Sequence, residues 1–394
     1  MTLLLGSIFS GGFIALLFAA TIARADYPIS SICIEAQTGL IVSEHNADLR
    51  RPPASMVKMM PLLLVAEGMR DGKWTLDTSV TITRNVETVG GARVYVSAGE
   101  VWPLSHLMAA LAVVSANDAA IAVAEALWGS EDALVGRMNG RARELGMIDT
   151  EFHSVHGLSP GNGGKPDQST ARDMAILAQW CVLHPIIREW TSLQNHQLRP
   201  DGADRRNTNR LLWRMNGCDG LKTGFTGAAG YCVTATAERG GIRLIAVVMG
   251  CKERSGRFER AQELLEEGFT NVRRFRVLSK GDAVAPAVRV TNCETAQVTP
   301  VLASDLWVTV RIRDLEHLRV VSDQPAAIKA PVIAGTPLGK VEVCLGQKTL
   351  AATRLLAPMD LAPASWRWKL KESVLRWRGK APQPAARSIS TAST

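Results

Sequence analysis

Ser55 and Lys58 stand three residues apart in PASMVKMM, inside a run that is otherwise apolar through Met56, Val57, Met59, Met60 and the following LLLVA. In a helix that spacing puts a hydroxyl and an amine on one face, one turn apart. A serine hydroxyl becomes an effective nucleophile when a neighbouring base takes its proton. Lysine can be that base when burial or a second cation lowers its pKa. The run offers no polar stripe that would hold Lys58 in water, so the segment reads as a buried amine beside a hydroxyl. At the start of a helix the backbone dipole also favours a developing alkoxide. A serine and a lysine at this spacing recur by chance in many chains, so the pair needs partners elsewhere.

Two further stretches supply them. In VVSANDAA, Ser115 and Asn117 interrupt an apolar helical run. A hydroxyl and a carboxamide two residues apart can face one cleft, Ser115 to relay a proton and Asn117 to bind a substrate amide; a plain polar break between helices is the alternative. In DGLKTGFTGAAGYCVTATA, Lys222 precedes a glycine-rich entry to a strand. Lys222 brings a charge suited to a carboxylate and to lowering the pKa of Lys58. Thr223 and Thr226 present hydroxyls, and Gly224 leaves room for a substrate along a sheet edge.

S-x-x-K, S-x-N and K-T-G in this order resemble the motifs of the penicillin-recognising serine enzymes. Among these the chain is similar to the low-molecular-weight penicillin-binding proteins that are D-alanyl-D-alanine carboxypeptidases, over nearly the whole length after the amino-terminal segment. The resemblance implies Ser55 as the acylated nucleophile and Lys58 as its base. Ser115 and Asn117 are then the second element, and Lys222, Thr223 and Gly224 the third. Phe225 and Thr226 follow on the same strand edge. An oxyanion hole would come from the backbone N–H of Ser55 and of a residue on that strand. It implies Arg257, or its rival Arg254, in KERSGRF as the carboxylate-binding arginine. His156 in SVHGLSPG is implied near the site, or as a buried structural histidine. Departures are Phe225 where some relatives carry His or Tyr, Ala116 where many carry Gly, and Pro61, expected to kink the Ser55 helix or end its regular bonding near Val57. The implied substrate is the peptidoglycan pentapeptide stem, with β-lactams as covalent inhibitors. A β-lactamase is the nearest alternative, although position 116 is not aspartate and no clear E-x-x-x-N follows. A membrane-tethered wall-binding module with little turnover is the other.

The elements that must position these residues follow from patterning. ICIEA, a Thr-Gly turn and LIVS read as two strands. Helical patterns follow through Glu67, on both sides of SAND, in DALVGRMNGRARELGM, and in STARDMAILAQWCVLHP with its Ser/Thr cap. YCVTATAERGGIRLIAVVMGC reads as a hairpin turning at Gly240-Gly241, and RFERAQELLEEGFTNV as a closing helix. The expected fold is mixed α/β, an antiparallel sheet with helices on both faces, over residues 26–275. From 276 to 358, short alternating runs (AVRV, LWVTVRI, LRVV, KVEVCL) predict a small all-β, sandwich-like domain that serves as spacer or docking unit.

The chain's 394 residues suffice for two domains, with 46% hydrophobic and 21% charged residues and a formal net charge of +8. Bases concentrate from Arg354 onward, which suits an anionic membrane surface. No zinc-finger, homeodomain-like or ribonucleoprotein pattern supports nucleic acid. No C-x-x-C or zinc-spaced cluster supports a metal, and no cofactor is expected. The first 25 residues are apolar and end in Ala23-Arg24-Ala25, an export signal with a cleavage pattern, or an uncleaved anchor since no base precedes the apolar core. Export to the periplasmic face of the inner membrane is expected. All seven cysteines follow that segment; Cys293 and Cys344 are the candidate pair. In residues 359–378, SWRWKLKESVLRWRGK places Trp366, Leu370, Val374 and Trp377 near one helical face, with Arg367, Lys369, Lys371, Arg376 and Arg378 around it, although Trp368 blurs the division. That pattern predicts an interfacial helix, peripherally anchored, followed by a disordered tail over 379–394. Oligomeric state is not readable from the sequence.

Overall fold

The computed structural model describes residues 28–158, 164–199 and 202–377. The expected export signal at 1–25, Arg378 and the expected tail at 379–394 lie outside the described residues. A five-stranded antiparallel sheet carries the first part of the chain. Its strands are β1 (Ser30–Glu35), β2 (Ile41–His45), β3 (Cys218–Thr226), β4 (Gly230–Arg239) and β5 (Ile242–Cys251). They run in the order β2-β1-β5-β4-β3, which leaves β3 at an edge. The two ends of the segment thus meet in the sheet, β1 pairing with β5. The hairpin expected at Gly240-Gly241 joins β4 to β5 in register, with Arg239 opposite Ile242.

Between β2 and β3 the chain forms α1 (Met59–Arg70), α2 (Leu104–Val113), α3 (Asn117–Trp128), α4 (Glu131–Glu144) and α5 (Ala171–Leu183); α6 (Gly256–Asn271) follows β5. Side chains alternate across the sheet. Ile32, Ile34, Ile245, Val247 and Met249 join the large core that contains α1 and α5. Cys33, Leu244, Ala246 and Val248 meet Phe258, Ala261, Leu264 and Leu265 of α6 on the other face. Helices therefore cover both faces, as the patterning predicts. Every residue of α1 from Met59 to Gly68 is buried, which explains why its sequence shows no polar stripe. Its one acidic residue, Glu67, is bound by Arg141 of α4 at 2.6 Å. Thr170 caps α5, accepting from the N–H of Asp173 at 3.0 Å.

Val272–Leu278 straddles the expected boundary at 275/276 and pairs antiparallel with Leu306–Arg311. The following chain builds a four-stranded sheet from Val301–Leu302, Lys348–Leu356, Pro337–Leu345 and Leu318–Asp323, and a three-stranded sheet containing one parallel pair. Two small cores hold this part, one around Val288, Val298 and Leu338, the other around Leu302, Val308 and Val343. The candidate pair Cys293 and Cys344 is not joined by a disulfide: Cys293 lies in the first small core and Cys344 on the four-stranded sheet. The last described helix is Trp366–Trp377. Among the described residues no helix is long and apolar enough to cross a membrane.

Candidate active site

Ser55 lies where α1 begins. Residues Ala54–Lys58 form a single stretch of 3-10 helix that passes into α1 at Met59. Pro61 does not interrupt α1, which runs unbroken from Met59 to Arg70. It falls in the first turn of α1, where a missing N–H is tolerated, and the tighter 3-10 bonding precedes it. Ala54 takes φ +49° to enter the turn. Two glycines make room for it. A Cβ on Gly157, which has φ +79°, would sit 2.1 Å from the Ala54 carbonyl oxygen, and one on Gly224 would sit 2.8 Å from that of Pro53. The VHGL segment and the edge of β3 are thereby pressed against the Ser55 turn from two sides.

The 3-10 geometry keeps Ser55 and Lys58 together, with Nζ 3.0 Å from Oγ. Lys58 is fully buried. Its Nζ also donates to Asn117 Oδ1 at 2.7 Å and to the His156 carbonyl at 2.6 Å. Three acceptors match the three protons of an ammonium; a neutral amine keeps two of these bonds and turns its lone pair to Ser55. Burial and then the Lys222 charge hold the Lys58 pKa well below its ordinary value, against the opposing pull of Asp167 and Asp118. Ser55 Oγ is itself within 3.2 Å of the His156 carbonyl.

Asn117 is committed at both ends, its Nδ2 donating to the Gly90 carbonyl at 2.7 Å. A carboxamide nitrogen carries two N–H donors, so the second is left for the expected contact with a substrate amide. The neighbouring Asp118, not singled out by sequence reasoning, accepts N–H groups from Val94, Tyr95 and Ala119 at 2.8–2.9 Å. That carboxylate pins the loop carrying Gly90–Tyr95 beside α3. Ser115 sits at the break between α2 and α3 with φ +65°, and its buried Oγ has no protein partner among the described residues.

On β3, Lys222 is 1% exposed and donates to the Thr223 carbonyl at 3.1 Å. Burial, followed by the Arg257 charge, lowers its pKa to about 7. Lys222 therefore gives up its proton more readily than the fixed cation the sequence suggests. Thr223 Oγ1 donates to Thr208 Oγ1 at 2.8 Å. Thr226 does not line the cleft; its Oγ1 accepts the Ala229 N–H in the turn to β4. Arg257, at the start of α6, is 4% exposed and spends one guanidinium nitrogen on the Gly224 and Cys232 carbonyls, at 2.9 and 3.1 Å. Its Nε has no partner among the described residues. Both arginines of the expected alternative, Arg254 and Arg257, border the cleft.

His156 reaches the centre through its backbone. Its ring turns away, with Nδ1 accepting the Leu158 N–H at 3.1 Å and Nε2 3.6 Å from Glu131. Burial and the Lys58 charge push its pKa down to about 4, so the ring is neutral at pH 7. Ser55, Ser115, Asn117, Thr223, Gly224, Phe225 and Arg257 line one open cleft of about 360 Å³. Sequence reasoning missed Asp118, Thr208 and Tyr231. Asp118 lay inside the quoted SAND break, and its first-turn position was the available signal.

A family model described as D-alanyl-D-alanine carboxypeptidase matches residues 23–253, and one described as penicillin-binding protein 5, C-terminal domain, matches residues 273–362. D-alanyl-D-alanine carboxypeptidase DacF of Bacillus subtilis is 30% identical, covering 88% of this chain and 89% of its own. Among solved structures, penicillin binding protein 5 from Haemophilus influenzae superposes with a TM-score of 0.69 at 28% identity, over 86% of this chain and 98% of that one. Penicillin-binding protein D2 from Listeria monocytogenes, solved in an ampicillin-bound form, gives 0.56 at 34% identity, over 61% of this chain and 97% of that one.

Proposed function

The chain belongs to the D-alanyl-D-alanine carboxypeptidase family and is a serine-type carboxypeptidase of the cell wall; on that premise we propose that Ser55 is the residue acylated and Lys58 the base that activates it. Neutral Lys58 takes the Oγ proton as Ser55 attacks the carbonyl of the penultimate D-alanine of a pentapeptide stem. The C–N bond breaks, the amine of the terminal D-alanine receives a proton, and D-alanine leaves. Water then hydrolyses the ester and returns the proton to Oγ. In this reading Ser115, whose buried hydroxyl has no partner among the described residues, carries the proton toward the leaving amine. Lys222, Thr223 and Arg257 take the terminal carboxylate, whose charge favours protonated Lys222. The Ser55 N–H and one from the edge of β3 bind the oxyanion. Penicillins acylate Ser55 in the same way.

The observation that carries this reading is the fully buried Lys58 amine, hydrogen-bonded to Asn117 and the His156 carbonyl and 3.0 Å from Ser55 Oγ. We further propose export, residence at the periplasmic face of the inner membrane, and peripheral attachment through Trp366–Trp377. Trp366, Leu370, Val374 and Trp377 are all exposed there, up to 86%, with the β-rich part as spacer. The test is to incubate the protein with a diacyl-D-Ala-D-Ala peptide and with a fluorescent penicillin, and to follow released D-alanine and the lifetime of the label. Release of D-alanine with a long-lived label supports the proposal. A rapidly lost label without D-alanine release marks a β-lactamase, and a persistent label without turnover marks a binding module.

A further inference from the structure

Phe225 and Tyr231 stand opposite one another on β3 and β4. Their rings stack with centroids 4.2 Å apart and planes inclined by 24°. Both border the Ser55 cleft, and Phe225 is 52% exposed. The wall is fixed rather than loose. The Arg257 guanidinium lies 5.3 Å from the Tyr231 ring centroid and is itself held by the Gly224 and Cys232 carbonyls. Among the described residues lining the cleft there is no acidic side chain.

With the scissile carbonyl at Ser55 and the terminal carboxylate at Thr223 and Arg257, the departing residue lies along the edge of β3, beside position 225. We propose that the Phe225–Tyr231 stack is the subsite for the side chain of the departing residue, and that it adapts the cleft to release large apolar or aromatic D-amino acids as well as D-alanine. This rests on the carboxypeptidase reading given above. A methyl group covers little of an aromatic face, whereas an isobutyl group buries it and a phenyl group gains an offset stack as well. The Tyr231 stack, with Arg257 above it, holds the Phe225 ring in place before substrate arrives, so little ordering is lost on binding.

The test compares kcat/KM for diacetyl-L-Lys-D-Ala-D-Ala and for the same peptide ending in D-Phe, in the wild type, Phe225→Ala, Tyr231→Ala and Phe225→Tyr, with covalent penicillin labelling confirming that each variant is folded. The wild type is expected to process the two peptides within about threefold of each other. Phe225→Ala and Tyr231→Ala lower the D-Phe to D-Ala ratio about tenfold, equivalent to about 1.4 kcal/mol, whatever they do to both substrates together. Phe225→Tyr keeps the ratio. A wild type that rejects the D-Phe peptide a hundredfold while releasing D-alanine overturns the proposal, as does a ratio unchanged in both alanine variants. Failure of the carboxypeptidase reading looks different: neither peptide is cleaved by the wild type, and both proposals fall together.

Discussion

Replacing Lys222 by Met removes a buried amine of similar volume and tests the electrostatics of the site through stability. The unfolded chain holds the Lys222 proton up to about pH 10.5, whereas burial and Arg257 bring the folded value to about 7. Between those limits the unfolded state binds more protons, so the free energy of unfolding rises with pH. Below about pH 7 the full cost of burying the ammonium is present, about 5 kcal/mol at roughly 1.4 kcal/mol for each pH unit separating the two values. Near pH 8.5 about 3 kcal/mol remains, and by about pH 10.5 it has gone. The methionine variant loses this cost together with one hydrogen bond to the Thr223 carbonyl, worth about 1 kcal/mol. It is therefore expected to be more stable than the wild type by about 4 kcal/mol at pH 6, with the difference shrinking steadily toward pH 10. Urea unfolding at pH 6, 7, 8 and 9, followed by tryptophan fluorescence, measures both midpoints. A variant less stable than the wild type at pH 6, or a wild type whose stability stays flat from pH 7 to 9, refutes the reasoning. The same variant should acylate poorly at neutral pH, because loss of the Lys222 charge lets the Lys58 pKa rise.

Lys58→Arg keeps a charge that cannot be given up, so penicillin acylation should fall by roughly a hundredfold to ten-thousandfold, and stopped-flow labelling near wild-type rates would move the base role elsewhere. Arg257→Ala should cost about 2 kcal/mol in kcat/KM on peptides with a free carboxy terminus, and less on their amides; equal losses would make the residue a brace for the Gly224 and Cys232 carbonyls, with Arg254 tested next. Truncation before Pro363 should leave activity on small peptides intact and abolish sedimentation with anionic vesicles, each exposed base near the surface contributing about 1 kcal/mol; a truncated protein that still sediments in full proportion would rule out Trp366–Trp377 as the anchor.

The residues whose chemistry depends on type and spacing were readable. Ser55 and Lys58 are linked by three positions along the chain, and the 3-10 turn keeps them in contact. The strands joined at Gly240-Gly241 and the Thr170 cap follow from local propensities. What the sequence did not reveal belongs to backbone groups and long-range packing. The His156 carbonyl binds Lys58 as any residue's carbonyl could; what places it is the close approach of Gly157 to Ala54. The commitment of Asn117 to both Lys58 and the Gly90 carbonyl depends on a loop whose anchor is Asp118. Thr226 looked like a cleft hydroxyl because its neighbour Thr223 is one, and only the turn to β4 shows where its oxygen goes. The near-neutral pKa of Lys222 likewise depends on burial and on Arg257, which the chain supplies 35 residues later.

The most direct test of the account is to locate the acyl group. Brief incubation with penicillin, acid quench and peptide mapping by mass spectrometry should find one adduct per chain on the peptide containing Ser55, with none on the Ser55→Ala variant. An adduct on any other residue, or full labelling of the alanine variant, would contradict the assignment of Ser55 as the nucleophile.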